Sequence, residues 1–187
     1  MANYKTLALS EEQYFNILDT IDRGFLNSRP NPKVSAVLRI EANLGIRVSD
    51  ILNLCLDDIV YENRRYRLDI IEQKTEKKRE FTVPLEVVEY LRKYTKENGI
   101  KDNEIIFNIT ERAVQKHLKK ACDYLGYKNI STHSFRKFFA TSIYKDNDYD
   151  IVLVQKLLQH SSPEITQRYI GIEQKKIESA LSKHIRL

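Results

Sequence analysis

The chain has 187 residues, of which 42% are hydrophobic, and its 31 Lys and Arg against 26 Asp and Glu give a net charge of +5. This composition excludes an intrinsically disordered chain, and the sequence shows neither an apolar run of transmembrane length nor a signal-peptide pattern. The mild basic excess is compatible with nucleic acid without establishing it. Cys55 and Cys122 form no CxxC motif and lie among apolar neighbours, so we interpret both as buried thiols of a cytoplasmic protein.

The first three predicted elements are helices. In "SEEQYFNILDTI", Ser10 and Gln13 have the spacing of a capping box, which predicts a helix start. The apolar residues of this helix are expected on one buried face: Phe15, Ile17, Leu18 and Ile21. A second helix is predicted to begin near Pro32 and to stop at Gly45, and "VSDILNLC" predicts a short third helix.

The periodicity then changes to that of β-strands. Three short β-prone runs lie around Ile59–Tyr61, Tyr66–Ile71 and Glu80–Val83, which favours a small antiparallel sheet. Helical patterns resume in "LEVVEYLRKYTKEN", "ERAVQKHLKKACDYL", "HSFRKFFATSIY", "DIVLVQKLL" and "EQKKIESALSKH". We therefore predict one domain of the α+β class, mainly α-helical with a three-stranded antiparallel sheet.

Two short motifs place an arginine where an anion could bind. Arg47, in "GIRVSD", lies between apolar residues of a core-like segment, with Asp50 three positions later. An arginine held against a core needs an anion, although an exposed Arg–Asp pair is the simpler interpretation of this motif alone. His133 and Arg136, in "THSFRKFFAT", share one side of a helix start, where free backbone N–H groups favour an oxyanion. A helix with a merely polar first turn is the alternative.

Two further motifs carry a cluster of cations and a His–Tyr pair. The turn "QKTEKKRE" contains Lys74, Lys77, Lys78 and Arg79. A solvated hairpin is the usual explanation of such a turn, and a phosphate contact or a mobile catalytic lysine is the sharper one. In "LLQHSSPEITQRYI", the letters "SSP" predict a helix start near residue 163, with His160 just before it and Tyr169 near its end. An isolated tyrosine in this setting is more often a packing residue.

Taken together and in this order, "GIRVSD", "QKTEKK", "HSFR" and "LLQHSSPEITQRY" resemble the motif set of the phage-integrase, or tyrosine recombinase, family. The resemblance extends from the helix near Ser10 to the helix near Leu181. It implies the catalytic-domain fold of that family. It also implies site-specific cutting and rejoining of double-stranded DNA, as in integration, excision or inversion.

The resemblance implies a role for each matching residue. Tyr169 would attack the scissile phosphate, form a 3′-phosphotyrosine and release a 5′-hydroxyl. Arg47 and Arg136 would neutralise the nonbridging oxygens, because each guanidinium can donate two hydrogen bonds to a phosphate. Since the phosphotyrosine bond conserves the energy of the broken phosphodiester and the arginines carry the electrostatic role, no ATP, metal or other cofactor is implied.

The remaining roles concern proton transfer and support. His133 would act as a hydrogen-bond partner and as an acid or base, and His160 would donate to a nonbridging oxygen. Lys74 would protonate the leaving 5′ oxygen, with Lys77 and Lys78 of the same hairpin as alternatives. Asp50 would support the arginines without reacting.

Two positions depart from the family pattern without removing a catalytic role. Gln159 stands where the family often has glycine, and Lys137 stands where histidine is common. We expect residues 1–187 to form a single catalytic domain without the N-terminal core-binding domain that most members place before it. Residues 174–187 are expected to form a helix that packs on its own core or docks onto a neighbouring subunit.

The resemblance also implies partners and a location. The implied partners are double-stranded DNA, further copies of the chain in a tetramer on that DNA, and accessory DNA-bending proteins. The implied location is the cytoplasm, at a bacterial nucleoid or encoded by a phage or mobile element, with no membrane. One alternative is a non-catalytic DNA-binding regulator that retains the fold, which the presence of all six expected residues disfavours. A type IB topoisomerase shares the chemistry, but the short length disfavours it. A plain helical interaction module would explain the motifs only by coincidence.

Overall fold

The structure is a computed structural model that describes residues 6–26, 28–74, 76–171 and 181–185. The α-helices within these ranges are α1 (Glu11–Arg23), α2 (Pro32–Leu44), α3 (Val48–Ile51), α4 (Leu85–Asn98), α5 (Glu111–Tyr124), α6 (Thr132–Asp146), α7 (Ile151–Leu158) and α8 (Pro163–Ile170). The strands are β1 (Ile59–Glu62), β2 (Arg65–Ile71) and β3 (Lys78–Val83). The predicted fold class, mainly α with a three-stranded antiparallel sheet, is confirmed.

The start and stop signals of the first two helices act as predicted. Ser10 Oγ accepts a hydrogen bond from the Gln13 N–H at 3.1 Å, and Gln13 Oε1 accepts one from the Ser10 N–H at 3.0 Å. Asn31 caps α2 directly before Pro32. Gly45 ends that helix in the left-handed region at φ 58, which a residue with a side chain rarely adopts.

Two predictions about burial are wrong. Phe15 is 56% exposed, because Tyr14 takes the inward position on α1 and packs its ring against Phe135 and Phe138 of α6. Successive residues of a helix point about 100° apart, so both aromatic rings cannot enter that interface. Cys55 is only half-buried, at the residue that precedes the 3-10 turn Leu56–Asp58, whereas Cys122 is buried as predicted.

The sheet runs in the order β1-β2-β3, and every neighbouring pair is antiparallel. Leu68 of β2 pairs with Ile59 of β1 and with Phe81 of β3, and Leu68 is fully buried in the main core. The turn between β2 and β3 begins at Glu72. The lysines of this hairpin therefore lie where β2 ends and β3 begins.

The helices enclose two apolar clusters, and α6 contributes to both. The larger cluster joins α1 to α5 with the sheet and includes Phe135 of α6. The smaller cluster consists of Ala140, Tyr144, Val154 and Leu158, with Tyr169 and Ile170 of α8 packed against it. Since α6 spans both clusters, it joins the helical body to α7 and α8.

The last predicted helix, over residues 174–187, lies largely outside the described residues. Residues 181–184 are helical and exposed. No helix in the described ranges combines the length and the apolar character needed to cross a membrane.

Candidate active site

Arg47 is held at the point where α2 gives way to α3. It is the N-cap residue of α3 and follows Gly45, whose position allows α6 to approach closely. A Cβ atom on Gly45 would lie 2.2 Å from the ring of Phe139. The glycine is therefore required both by its backbone conformation and by this contact, and it fixes the Arg47 backbone next to α6.

A buried carboxylate, Glu72, orients two guanidinium groups. Its Oε2 accepts a hydrogen bond from Arg47 Nη1 at 2.5 Å, and its Oε1 accepts one from Arg79 Nη1 at 2.7 Å. The side chains of Glu72 and Arg79 are 1% and 2% exposed, while that of Arg47 is 19% exposed. Arg79 also donates to the Leu157 carbonyl at 2.6 Å. Arg47 is thus positioned by a paired carboxylate while part of its guanidinium still faces solvent.

Arg136 lies in the second turn of α6 and is buried. Its Nη2 donates to the Leu158 carbonyl at 3.2 Å, which leaves the guanidinium tied to the end of α7. Its Nη1 is buried without a hydrogen-bond partner among the described residues. Burial lowers the pKa of Arg136 to about 10, so the group remains a cation at neutral pH. A buried cation with a free donor is a site for an anion.

His160 is fixed by the loop between α7 and α8. The loop begins at Gln159, which adopts the left-handed conformation at φ 55. Glycine adopts this conformation most easily, which fits the glycine often found at this position in the family motif. His160 Nδ1 lies 3.0 Å from Thr166 Oγ1, and Thr166 Oγ1 lies 3.4 Å from the Ser162 carbonyl. Burial, followed by the charges of Arg136 and other arginines, lowers the pKa of His160 to about 4. Its imidazole is therefore neutral near pH 7, with Nε2 directed away from Thr166.

Tyr169 lies on α8 with its ring between two histidines. The ring centroids of His160 and His133 are 5.2 Å and 6.0 Å from its own, both in edge geometry. The Tyr169 hydroxyl is buried and makes no hydrogen bond of acceptable geometry with the described residues. Burial raises its pKa to about 12, against the lowering influence of the nearby Arg136 guanidinium.

His133 and Lys74 complete the site from its open side. His133 lies in the first turn of α6 and is exposed at the surface. Desolvation of the imidazole by the surrounding protein is the largest cause that lowers the pKa of His133. The positive charges of Arg136, Lys137, Arg47 and Lys74 lower that pKa further. Lys74 is exposed in the hairpin turn. Its charge therefore reaches the site although its side chain remains in solvent.

The other hairpin side chains are not equivalent to Lys74. Lys78 forms ion pairs with Asp69 of the neighbouring strand and with Glu80 of its own strand. Asp50, expected to support the arginines, accepts a hydrogen bond from the Gln73 N–H at 3.0 Å, and its charge acts on Arg79. Asp50 thus anchors the backbone immediately before Lys74.

The structure brings Arg47, Arg136, His133, His160 and Tyr169 together, with Lys74 at the rim. Sequence reasoning missed three buried ionisable side chains around them: Glu72, Arg79 and Glu41. Both carboxylate oxygens of Glu41 are buried without a hydrogen-bond partner among the described residues. Burial raises its pKa well above the usual range, against the lowering charge of Arg136. The cluster as a whole can bind an oxyanion beside a buried phenol hydroxyl.

Comparisons with known proteins agree with the resemblance to the phage integrase family that the motifs indicated. A family model described as "Phage integrase family" matches residues 8–176. A probable integrase/recombinase, YoeC of Bacillus subtilis, is 35% identical over 139 residues, which cover 71% of this chain and 74% of that protein. Tyrosine recombinase XerC of Caldanaerobacter subterraneus subsp. tengcongensis is 31% identical over 190 residues, which cover 94% of this chain and 50% of that protein.

Solved structures share the fold. The catalytic domain of bacteriophage HP1 integrase aligns with a TM-score of 0.65 at 23% identity and covers 96% of both chains. The XerH site-specific recombinase bound to palindromic difH substrate, in a post-cleavage complex, aligns with a TM-score of 0.70 at 24% identity, covering 94% of this chain and 52% of that one. The chain thus spans about half the length of several proteins that it matches. Because the family model covers most of its residues, the chain belongs to the phage integrase family.

Proposed function

We propose that the chain is a site-specific DNA recombinase that breaks and rejoins DNA through a 3′-phosphotyrosine. One observation carries the proposal: the buried Tyr169 hydroxyl lies against the guanidinium of Arg136, whose Nη1 is a buried donor without a partner among the described residues. A hydroxyl nucleophile beside a free cationic donor fits a phosphodiester, which needs its charge neutralised before attack.

In the proposed reaction, Tyr169 Oη attacks phosphorus, the bond to the 5′ oxygen breaks, and the phosphate stays on the tyrosine. Arg47 and Arg136 hold the nonbridging oxygens, and His160 donates to one of them. The phenol proton passes to His133, whose neutral ring can accept it, and Lys74 supplies a proton to the leaving 5′ oxygen. Rejoining is the reverse attack by a 5′-hydroxyl of another strand. These residues perform the steps without a metal or ATP.

Thr166 sets the tautomer of His160 in this proposal. A neutral imidazole carries one ring proton, so Nε2 can donate to a phosphate oxygen only when Nδ1 is an acceptor. The Thr166 hydroxyl, 3.0 Å from Nδ1, can donate to it by giving up its longer contact of 3.4 Å with the Ser162 carbonyl. The hydroxyl therefore acts on the phosphate through the imidazole.

We expect Thr166→Val to lower the single-turnover rate of DNA cleavage by about tenfold, the worth of one hydrogen bond to the reacting centre. Thr166→Ser, which keeps the hydroxyl, should retain most of the rate. The measurement is cleavage of a nicked duplex at saturating protein, with ¹⁵N NMR of the His160 ring to report the tautomer. Equal rates for the valine and serine variants would rule out the tautomer role.

We further propose that the chain acts in the cytoplasm on double-stranded DNA, at the nucleoid or within a phage or mobile element, as a tetramer, with DNA-bending proteins where the site requires them. Residues 1–187 would form one catalytic domain whose C-terminal residues 174–187 dock onto a neighbouring subunit. The exposed apolar side chains of Leu181 and Ile185, 65% and 67% exposed, support this docking. Assembly on DNA that is unchanged after deletion of residues 174–187 would contradict it.

The test of the recombinase activity uses nicked duplexes tiled across the DNA that flanks the gene. We expect a protein–DNA adduct that survives SDS, forms on a limited set of sequences and maps to the peptide containing Tyr169. Tight binding of the protein to DNA without an adduct would instead favour the alternative of a non-catalytic DNA-binding regulator. Relaxation of plasmids that lack any such sequence would favour topoisomerase activity.

A further inference from the structure

Lys137 is a buried lysine next to the proposed nucleophile. It follows Arg136 on α6 and is only 8% exposed. Its Nζ donates a hydrogen bond to the Thr6 carbonyl at 2.7 Å, in the segment before α1. The same Nζ lies 5.1 Å from the centroid of the Tyr169 ring. A buried ammonium group is costly unless it is compensated, and these two contacts supply part of that compensation.

Three polar neighbours among the described residues contact the Tyr169 ring. His133 and His160 meet it edge-on, at interplanar angles of 79° and 78°. Lys137 covers the ring as a cation. The three contacts restrain both the position and the tilt of the Tyr169 ring. Together, position and tilt determine where the hydroxyl oxygen points.

We propose that Lys137 is a positioning residue for Tyr169: its ammonium group, anchored on the Thr6 carbonyl, holds the aromatic ring so that the hydroxyl meets the scissile phosphate in line. The inference rests on the proposed function of Tyr169. Lys137 contacts the ring and not the reacting atoms, so it acts through the tyrosine. It also ties the segment that precedes α1 to the nucleophile.

A cation against the ring also stabilises the phenolate that develops during attack. Among the residues that the structure describes, the other charged or titratable groups that act on Tyr169 include Arg136 and His133 of α6, Glu41 of α2, Arg47 before α3, and His160. Of these, His133 also responds to Lys137, whose charge lowers the pKa of that imidazole, so the pH profile reports the Lys137 charge at both Tyr169 and His133. A shift in the pH profile of cleavage would therefore report the loss of the Lys137 charge, which a packing defect alone would not produce.

The test compares Lys137→Met, which keeps the stem length and removes the charge, with Lys137→Arg, which keeps a cation. We expect the methionine variant to cleave a nicked duplex about tenfold more slowly at saturating protein, with its rate rising at higher pH than in the wild type. Affinity for DNA should change by less than about twofold, since phosphate contacts dominate it. The arginine variant should recover most of the rate. Lys145→Met, at an exposed position of α6, is the matched control and should behave as wild type.

A second measurement needs no DNA. In a double-mutant cycle of unfolding with Lys137→Met and Tyr169→Leu, we expect the unfolding equilibrium constants to depart from additivity by about threefold or more. Additive effects, or an arginine variant as slow as the methionine variant with an unmoved pH profile, would overturn the inference. Should Lys137→Met fail to fold, Lys137→Gln takes its place. A wild type without any adduct would count against the proposed function, while the cycle would still decide whether the ring contact exists.

Discussion

Replacing Tyr169 with phenylalanine is expected to abolish the covalent adduct and, at the same time, to stabilise the protein. The hydroxyl is the proposed nucleophile, so no adduct can form without it. It is also buried without a hydrogen-bond partner among the described residues, so its removal relieves a desolvation cost of about 1 kcal/mol. The ring contacts with Lys137, His133 and His160 do not involve the oxygen and persist.

The measurements are adduct formation on a labelled nicked duplex and urea unfolding of the free protein. Tyr124→Phe is the matched control, because Tyr124 is 52% exposed on α5, and it should leave both adduct formation and stability unchanged. An adduct that persists in Tyr169→Phe would assign the nucleophile elsewhere. A clear loss of stability in that variant would show that the hydroxyl has a partner in solution.

Glu72→Gln is expected to have the largest effect on stability and a large effect on cleavage. The carboxylate, 1% exposed, pairs with both Arg47 and Arg79. A neutral amide would leave two guanidinium groups close together without their shared counter-charge, and breaking such a buried pair costs about 3–5 kcal/mol. Arg47 would lose its orientation toward the phosphate, and we expect cleavage to fall by about 100-fold or more.

Urea unfolding and single-turnover cleavage, both near neutral pH, measure the two effects. Glu80→Gln is the matched control on the same hairpin, since Glu80 is an exposed acid paired with Lys78 and Arg67. Because surface ion pairs contribute little, the Glu80 variant should unfold at nearly the wild-type midpoint. The bridging role of Glu72 would be refuted if both variants unfolded alike.

Much of the fold could be predicted from the sequence because its signals are local. The capping box at Ser10, Pro32 at a helix start and the "SSP" cap before α8 each act through neighbours within a few residues. The six proposed site residues could be selected because their motifs have fixed spacing and order. Phe15 was misplaced because the apolar residues of α1 fit two overlapping faces, and only the position of α6 decides between Tyr14 and Phe15.

The buried charges could not be selected in the same way. Arg79 stands among lysines and resembles a solvated hairpin residue, but strand alternation places it on the same face as Phe81 and Val83. That alternation is the signal that could have found it. The strand and helix periods also place Glu72 and Glu41 on inward faces, but acidic residues are rarely buried unless paired, and the period does not reveal their partners.

The seating of α8 has a consequence for how the protein behaves when no DNA is bound. This helix has eight residues, and Thr166 is its one buried residue. An element this short can shift locally while the rest of the domain stays folded. Because the Tyr169 hydroxyl is covered by protein, a small local shift that keeps the ring on Lys137 must uncover it before it meets phosphorus in the proposed reaction. In the proposed reaction, the reactive conformer is thus a minor population that the correct DNA site selects, so the seating of one short helix would guard against stray strand breaks.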